Sequence, residues 1–211
     1  MSINNEKKPN AEHKSVLRAE ARRILSAFEG RPIGGNDIER DEKGRPFFPG
    51  REIDFNISHS ARTSAVSYFS GGNGRTGCDI ELVRPRSRMR EITETFFSHD
   101  EKDYIFSQSE FYIKRFYEIW TLKECFIKLR GLSVFDISAC PSFIDKDGAF
   151  NFCADVRAPL LFELYELSDG CAETYMLSAV LEGAWEPAQI RMFSHFSLTC
   201  KKNAEIKAAP N

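Results

Sequence analysis

Between Glu12 and Phe28 the apolar side chains fall at Val16, Leu17, Ala21, Ile24, Leu25 and Phe28. That spacing of three and four predicts an amphipathic helix, with Lys14, Arg18, Arg22 and Arg23 on its wet side. Gly30, Pro32, Gly34 and Gly35 end it, and a loop follows with a turn at Glu42-Lys43-Gly44-Arg45-Pro46. Three strand-like runs come next: Ile53, Phe55 and Ile57 alternate, Ala65–Phe69 is short and apolar, and Cys78, Ile80 and Leu82 alternate again. Ser98 followed three residues later by Glu101 reads as a capping box that opens a helix. A long helix is predicted from Phe111 to Arg130, stopped by Gly131. Later strand-like runs are Leu160–Leu167, Tyr175–Leu181 and Gln189–Phe193.

The order helix, loop, three strands therefore occurs twice. It predicts an α+β fold of two similar halves, each a helix with a three-stranded antiparallel sheet, related by a pseudo-two-fold axis, with any site at their seam. The expected division is a flexible tail at 1–11, halves at 12–84 and 85–198, and a second flexible tail at 199–211. Gly72, Gly74 and Gly77 satisfy G-x-G-x-x-G, but a strand opens there and not a helix, and Asn73-Gly74 reads as a hairpin turn; a dinucleotide fold is set aside.

Composition narrows the functional classes. With 29 Lys and Arg against 31 Asp and Glu, the chain carries a formal charge of -2, a poor match to a bulk nucleic-acid binder. No apolar run approaches the roughly 18 residues of a membrane span, and the polar opening residues have no secretory core. The six cysteines are scattered without a C-x-x-C pair, as in a reduced, cytoplasmic protein, and with four histidines they form no zinc pattern.

Four features could carry chemistry. In Gly77-Cys78-Asp79-Ile80-Glu81-Leu82 the alternation puts Asp79 and Glu81 on one face, about 6.5–7 Å apart, where two carboxylates can converge on one hard cation such as Mg²⁺. On alternation alone a solvated acidic face is the simpler explanation. The long helix is apolar almost all round yet carries Lys123, Glu124 and Lys128, with Trp120, Glu124 and Lys128 on one face; an internal Glu124–Lys128 ion pair would leave Lys123 over. Ser58, His59 and Ser60 end a strand with hydroxyls and an imidazole, either capping backbone groups or gripping phosphate. Arg45-Pro46 and the arginines of 84–90 read alone as a turn and a wet face.

Taken in order, GRPFF, FNISHS, GCDIE, FFSHDE and WTLKECFIK resemble the blocks of the Sfp-type 4′-phosphopantetheinyl transferases, and the 41 positions from Asp79 to Trp120 fit the family spacing. The resemblance spans about residues 12–180. It implies an enzyme that transfers the 4′-phosphopantetheine arm of coenzyme A to a serine of an acyl or peptidyl carrier protein and releases 3′,5′-ADP. It implies Asp79, Glu81 and Glu124 as Mg²⁺ ligands. Glu124 is the expected base, acting directly or through a water, and Lys128 and Asp79 complete the catalytic group. Lys14, Arg45, Pro46, Ser58, His59, Lys123 and Lys128 are the expected coenzyme contacts. The arginines of 84–90 are candidates for carrier docking. A monomer without nucleic-acid or membrane partners is expected. Two other readings stand beside this one: a non-catalytic protein binding coenzyme A or a carrier, and a Mg²⁺-dependent phosphodiesterase acting on nucleotide pyrophosphates.

Overall fold

The structure, a computed structural model, describes residues 11–70, 73–168, 173–183 and 199–210, without the side chains of 11–14 and 199. Helix α1 (Ala11–Glu29) buries Leu17, Ala21, Ile24 and Leu25, the stripe its sequence predicts. A short hairpin follows, β1 (Glu39–Arg40) against β2 (Pro46–Phe47), then the antiparallel pair β3 (Ile53–Ser60) and β4 (Thr63–Ser70). Leu25, Ile33, Phe48 and Phe55 form the core between them.

The larger sheet takes β5 (Arg75–Leu82), β6 (Leu160–Ser168), β7 (Thr174–Glu182) and β8 (Thr199–Ala208) in the order β5-β7-β6-β8, with every neighbouring pair antiparallel. Helices α2 (Met89–Phe96), α3 (His99–Phe106) and α4 (Tyr112–Arg130) lie between β5 and β6 in the chain. The predicted capping box at Ser98 and Glu101 is formed, and Gly131 ends α4 at a φ of 62°. The main core joins Phe116, Ile119, Leu122 and Phe126 of α4 to Phe143, Phe152 and Phe162.

Mixed α+β architecture with antiparallel sheets is thus as expected, but the sheet of the first half is not three-stranded. β5 pairs with β7, across the expected boundary at residue 84, and the anticipated Asn73-Gly74 hairpin joining it to β4 does not form a ladder. The physical reason lies in β3. The amides of Thr76, Cys78, Ile80 and Leu82 point toward β3 and donate to Asp54 Oδ2 (2.6 Å), Asn56 Oδ1 (3.4 Å), Ser58 Oγ (3.4 Å) and Ser60 Oγ (3.0 Å). The constant offset of 22 residues makes the two strands parallel neighbours. Side-chain oxygens, spaced every second residue, stand where a backbone carbonyl ladder would be, and β5 still leaves these donors satisfied.

The expected flexible tail at 199–211 is corrected too: residues 199–208 form β8 on the edge of the large sheet. Its apolar positions are weak, Ile206 between Ala204 and Ala208, and Asn203 is bulged out of register, which breaks the alternation that signals a strand. Lysines 201, 202 and 207 on this edge give it the polar appearance of a tail. The predicted strand Gln189–Phe193 and the tail before Ala11 lie outside the described residues.

Lys123, an expected coenzyme contact, is instead locked in the core between α3 and α4. It is 1 % exposed, and its ammonium lies 3.1 Å from Glu101 Oε2, a carboxylate that is itself 0 % exposed. The Pro141 carbonyl accepts from it at 3.3 Å, and the Phe97 ring lies under it at 5.6 Å. Glu101 also accepts from Ser98 N and Phe143 N, both at 2.9 Å, so the capping-box acid serves as the counter-ion as well. One residue on a helix turns the side chain by about 100°, which is why Lys123 leaves the face that Glu124 and Lys128 share.

Two predictions follow from this packing. A Cβ at Gly77 would lie 2.6 Å from the Cys125 carbonyl and 3.1 Å from Leu129 N, so Gly77 is what lets β5 approach α4. Gly77→Ala should lower stability by about 1–3 kcal/mol through overpacking, read by chemical denaturation. Lys123→Met should cost about 3–5 kcal/mol because it strands the Glu101 carboxylate, whereas Lys123→Met with Glu101→Gln should recover part of that loss. Equal losses in the single and double variants would show that the two groups are not coupled.

Candidate active site

The odd-numbered side chains of β5 face α4, which runs antiparallel to it: Gly77 meets Cys125 and Leu129, and farther along Tyr117 Oη donates to the Arg84 carbonyl at 3.0 Å. Asp79 and Glu81 therefore enter the seam between β3, β5 and α4. Asp79 Oδ1 accepts from Ser58 Oγ at 2.7 Å and from Lys128 Nζ at 2.5 Å. Lys128 Nζ also lies 2.9 Å from Ser58 Oγ. Glu81 Oε2 accepts from Ser60 Oγ at 2.8 Å, and its other oxygen is 3.7 Å from Arg86 Nη1. Each serine thus accepts from one β5 amide and donates to the carboxylate just before it, so FNISHS and GCDIE form one interlocked unit. Asp79 Oδ2 is buried and among the described residues has no hydrogen-bond partner.

The seam is overloaded with negative charge. Burial, reinforced by Asp79 and Glu81 and opposed by Lys128 and Arg86, pushes the Glu124 carboxyl up to about 7. Burial and the neighbouring Asp79 also raise Glu81. For Lys128, burial works against the charge, but Asp79 and Glu124 outweigh it and hold the ammonium above its ordinary range. Three carboxylates share one field with one ammonium and one guanidinium. They are not drawn into a closed cage, since no three His, Cys, Asp or Glu side chains among the described residues are positioned to hold a metal ion. Asp79 leans to Lys128 and Ser58, and Glu81 to Ser60 and Arg86.

Of the sequence-predicted residues, Asp79, Glu81, Glu124, Lys128 and Ser58 meet at this seam. Lys128 pairs with Asp79, not with Glu124 four residues earlier on the same helix. Ser58, expected to grip phosphate, is buried, and its hydroxyl meets Asp79, Lys128 and the Ile80 amide. Arg45, an expected coenzyme contact, is 8 % exposed and makes an ion pair with Asp54 while donating to the Thr76 and Lys128 carbonyls. Pro46 is buried beside it in β2. His59 is exposed, and strand alternation turns it away from Ser58 and Ser60. Lys14 lies on α1, with its side chain outside the described residues. Within 84–90, Arg86 reaches Glu81, Arg88 pairs with Glu91 at 2.5 Å, and Arg90 lies over the Phe106 ring. Sequence reasoning missed Ser60 as the partner of Glu81, although its phase with Ser58 was legible, and missed Asp54, whose partner Arg45 lies across a turn.

Comparison with known proteins places the chain in a family. The family model of the 4′-phosphopantetheinyl transferase superfamily matches residues 75–175, from β5 through α4 to the start of β7. The 4′-phosphopantetheinyl transferase AcpT of Escherichia coli (strain K12) is 33 % identical over 121 residues, 56 % of this chain and 60 % of that protein. The chain therefore spans about three-fifths of the length of that relative. The 4′-phosphopantetheinyl transferase psf-1 of Bacillus pumilus is 30 % identical over 154 residues, 69 % of this chain and 62 % of that protein. The 4′-phosphopantetheinyl transferase Sfp of Bacillus subtilis (strain 168) is 30 % identical over 162 residues, 74 % of this chain and 68 % of that protein. The acids of β5 and α4 lie inside the span that the family model matches, and with a relative 30 % identical over 74 % of the chain, the chain belongs to the 4′-phosphopantetheinyl transferase superfamily.

Proposed function

We propose that this chain transfers the 4′-phosphopantetheine arm of coenzyme A to a serine hydroxyl of an acyl or peptidyl carrier protein, leaving 3′,5′-ADP. The observation that carries the reading is the buried Asp79 Oδ2, without a hydrogen-bond partner among the described residues, in a seam where two further carboxylates are held above their ordinary range. Such an oxygen is costly to leave unmade, and surplus buried negative charge is relieved by a cation. The chemistry of the donors, three carboxylates at one seam, suits a hard divalent ion: Asp79, Glu81 and Glu124 would hold Mg²⁺ by turning to it from Lys128, Ser60 and Arg86. When bound, Mg²⁺ supplies charge neutralisation at the pyrophosphate and at the departing ADP.

The protein's own groups divide the remaining work. The Lys128 ammonium, kept charged by Asp79 and Glu124, attracts the coenzyme's phosphates. Ser58 and Ser60 occupy one oxygen each of Asp79 and Glu81, which orients the other oxygens. Glu124 takes the proton from the carrier serine, directly or through a water, as the serine oxygen bonds to the β-phosphorus and the bond to the bridging oxygen of ADP breaks. A carboxyl that titrates near neutrality suits that exchange. By the family pattern alone, Lys14, Pro46 and His59 contact the coenzyme farther out.

The same reading carries the pseudo-two-fold arrangement of halves 12–84 and 85–198, with β5 lent by the first to the sheet of the second. It takes the chain as a monomer in the cytoplasm, without nucleic-acid or membrane partners. The free thiols of Cys78, Cys125, Cys140, Cys153 and Cys200 suit that compartment, and among the described residues no helix is long and apolar enough to cross a membrane.

Incubation with coenzyme A, Mg²⁺ and an unmodified carrier should add one phosphopantetheine to the carrier by mass spectrometry. Release of 3′,5′-ADP with no carrier modification would favour a phosphodiesterase, and coenzyme binding without either product a binding protein. Glu124→Gln should lower transfer on the order of 10²–10⁴-fold, the scale of a lost general base, and Asp79→Asn should also abolish the Mg²⁺ response. The pH dependence has a defined sign. The folded Glu124 carboxyl titrates at about 7 against 4.5 when exposed, so the folded state binds more protons between these values. Its contribution to stability is present at low pH and is lost as pH rises to about 7. In metal-free buffer Glu124→Gln should therefore gain stability relative to the parent from pH 4.5 to about 7, and added Mg²⁺ should erase that gain.

A further inference from the structure

Arg45 is the most connected side chain that the proposed chemistry does not use. Its Nε donates to Asp54 Oδ1 at 3.3 Å, and Nη2 meets Asp54 Oδ2. Nη2 also donates to the Thr76 carbonyl at 2.6 Å, and Nη1 to the Lys128 carbonyl at 2.7 Å. Asp54 Oδ2 in turn accepts from Thr76 N at 2.6 Å. One guanidinium–carboxylate pair, its arginine buried, thus ties together the turn before β2, β3, the start of β5 and the last turn of α4.

The residue gripped on α4 matters. The Lys128 carbonyl is among the last four of the helix, which lack a full intrahelical partner, and it is shared with Gly131 N at 3.3 Å. A cation at this end also meets the negative pole of the helix. The side chain of the same residue places its ammonium 2.5 Å from Asp79. Arg45 therefore holds the main chain of residue 128 while Asp79 and Ser58 hold its other end. A lysine at 45 would keep the charge but not the planar fork that reaches two carboxylate oxygens and two carbonyls at once.

We propose that Arg45 is a positioning residue that acts through Lys128: it fixes the height of the last turn of α4 against β5, so that the Lys128 ammonium meets Asp79 and faces the seam. The role of the seam in binding coenzyme A rests on the reading above; the clasp itself does not. Arg45 does not touch the ligand in this assignment, although it stands in the GRPFF block whose resemblance implies a coenzyme contact.

A double-mutant cycle separates the two roles. Coenzyme A affinity is measured by calorimetry, with Mg²⁺, on the full chain carrying Arg45→Lys, Lys128→Gln or both. If Arg45 acts through Lys128, Arg45→Lys weakens binding about tenfold alone and adds less than twofold once Lys128 is replaced. Fully additive losses would overturn the assignment and make Arg45 a direct contact. Hydrogen exchange supplies an arm that needs no coenzyme: in Arg45→Lys the amides of Gly131 and Leu132 should exchange at least tenfold faster, while that of Lys123 is unchanged. Unaltered exchange at Gly131 and Leu132 would overturn the clasp. Should the parent chain not bind coenzyme A, the functional reading fails and the exchange result alone decides this inference. If Arg45→Lys does not fold, Asp54→Asn, which loosens the same pair, is put through both measurements with the same expected outcomes.

Discussion

The structure depends on how the amides of β5 that face away from β7 are satisfied. A strand with an unpaired edge beside another strand would ordinarily complete a backbone ladder. Here four polar side chains of β3, Asp54, Asn56, Ser58 and Ser60, insert their oxygens instead. This keeps the two strands a side chain apart and frees each serine hydroxyl hydrogen for a carboxylate. The carboxylates are consequently held by the same residues that hold the strand. A serine at 58 or 60 replaced by an apolar side chain would leave a β5 amide without its acceptor and take one hydrogen bond from the neighbouring acid, which would keep only Lys128 or Arg86, a double loss that explains why hydroxyls stand there.

From that constraint the electrostatics follow. Gly77 brings α4 against β5, and the next two odd residues of the strand are acids. The helix answers with one ammonium, Lys128, and adds a third acid, Glu124, one turn earlier. Charge balance within the protein is incomplete, and it is relieved partly by raising Glu124 and Glu81 toward their neutral forms. A fold built for stability alone would not concentrate acids in this way. The imbalance leaves Asp79 Oδ2 without a hydrogen-bond partner among the described residues, and it is this surplus on which the proposed function rests.

Much of this was legible from local pattern. The period of α1, the capping box at Ser98 and the stop at Gly131 are local signals, and the structure realises each. The alternation in GCDIE put Asp79 and Glu81 on one face, and helical spacing put Glu124 and Lys128 on another; both are found at the seam. What was not legible is nonlocal. Whether β5 joins β4 or β7 depends on what fills its far edge, and no residue of β5 states that. The edge strand β8 escaped because its inward residues are small and its register is broken at Asn203.

The same distinction separates four cationic or hydroxyl residues of the site blocks. Lys123, Arg45, Lys128 and Ser58 all stand in blocks that resemble one family's pattern, and a polyanionic ligand invites assigning every cation to it. Burial decides otherwise. Lys123 has a fully buried carboxylate of its own in Glu101 and could not turn to a ligand without stranding that acid at a cost of several kcal/mol, and Arg45 is held by Asp54 and two carbonyls. Lys128 differs because its partner Asp79 belongs to an acid surplus and its side chain remains about a quarter exposed. A cation can serve a ligand only where the protein does not already require it. On the proposed function, that condition favours the residue at the end of α4 for the ligand and the other two for holding α4 in place.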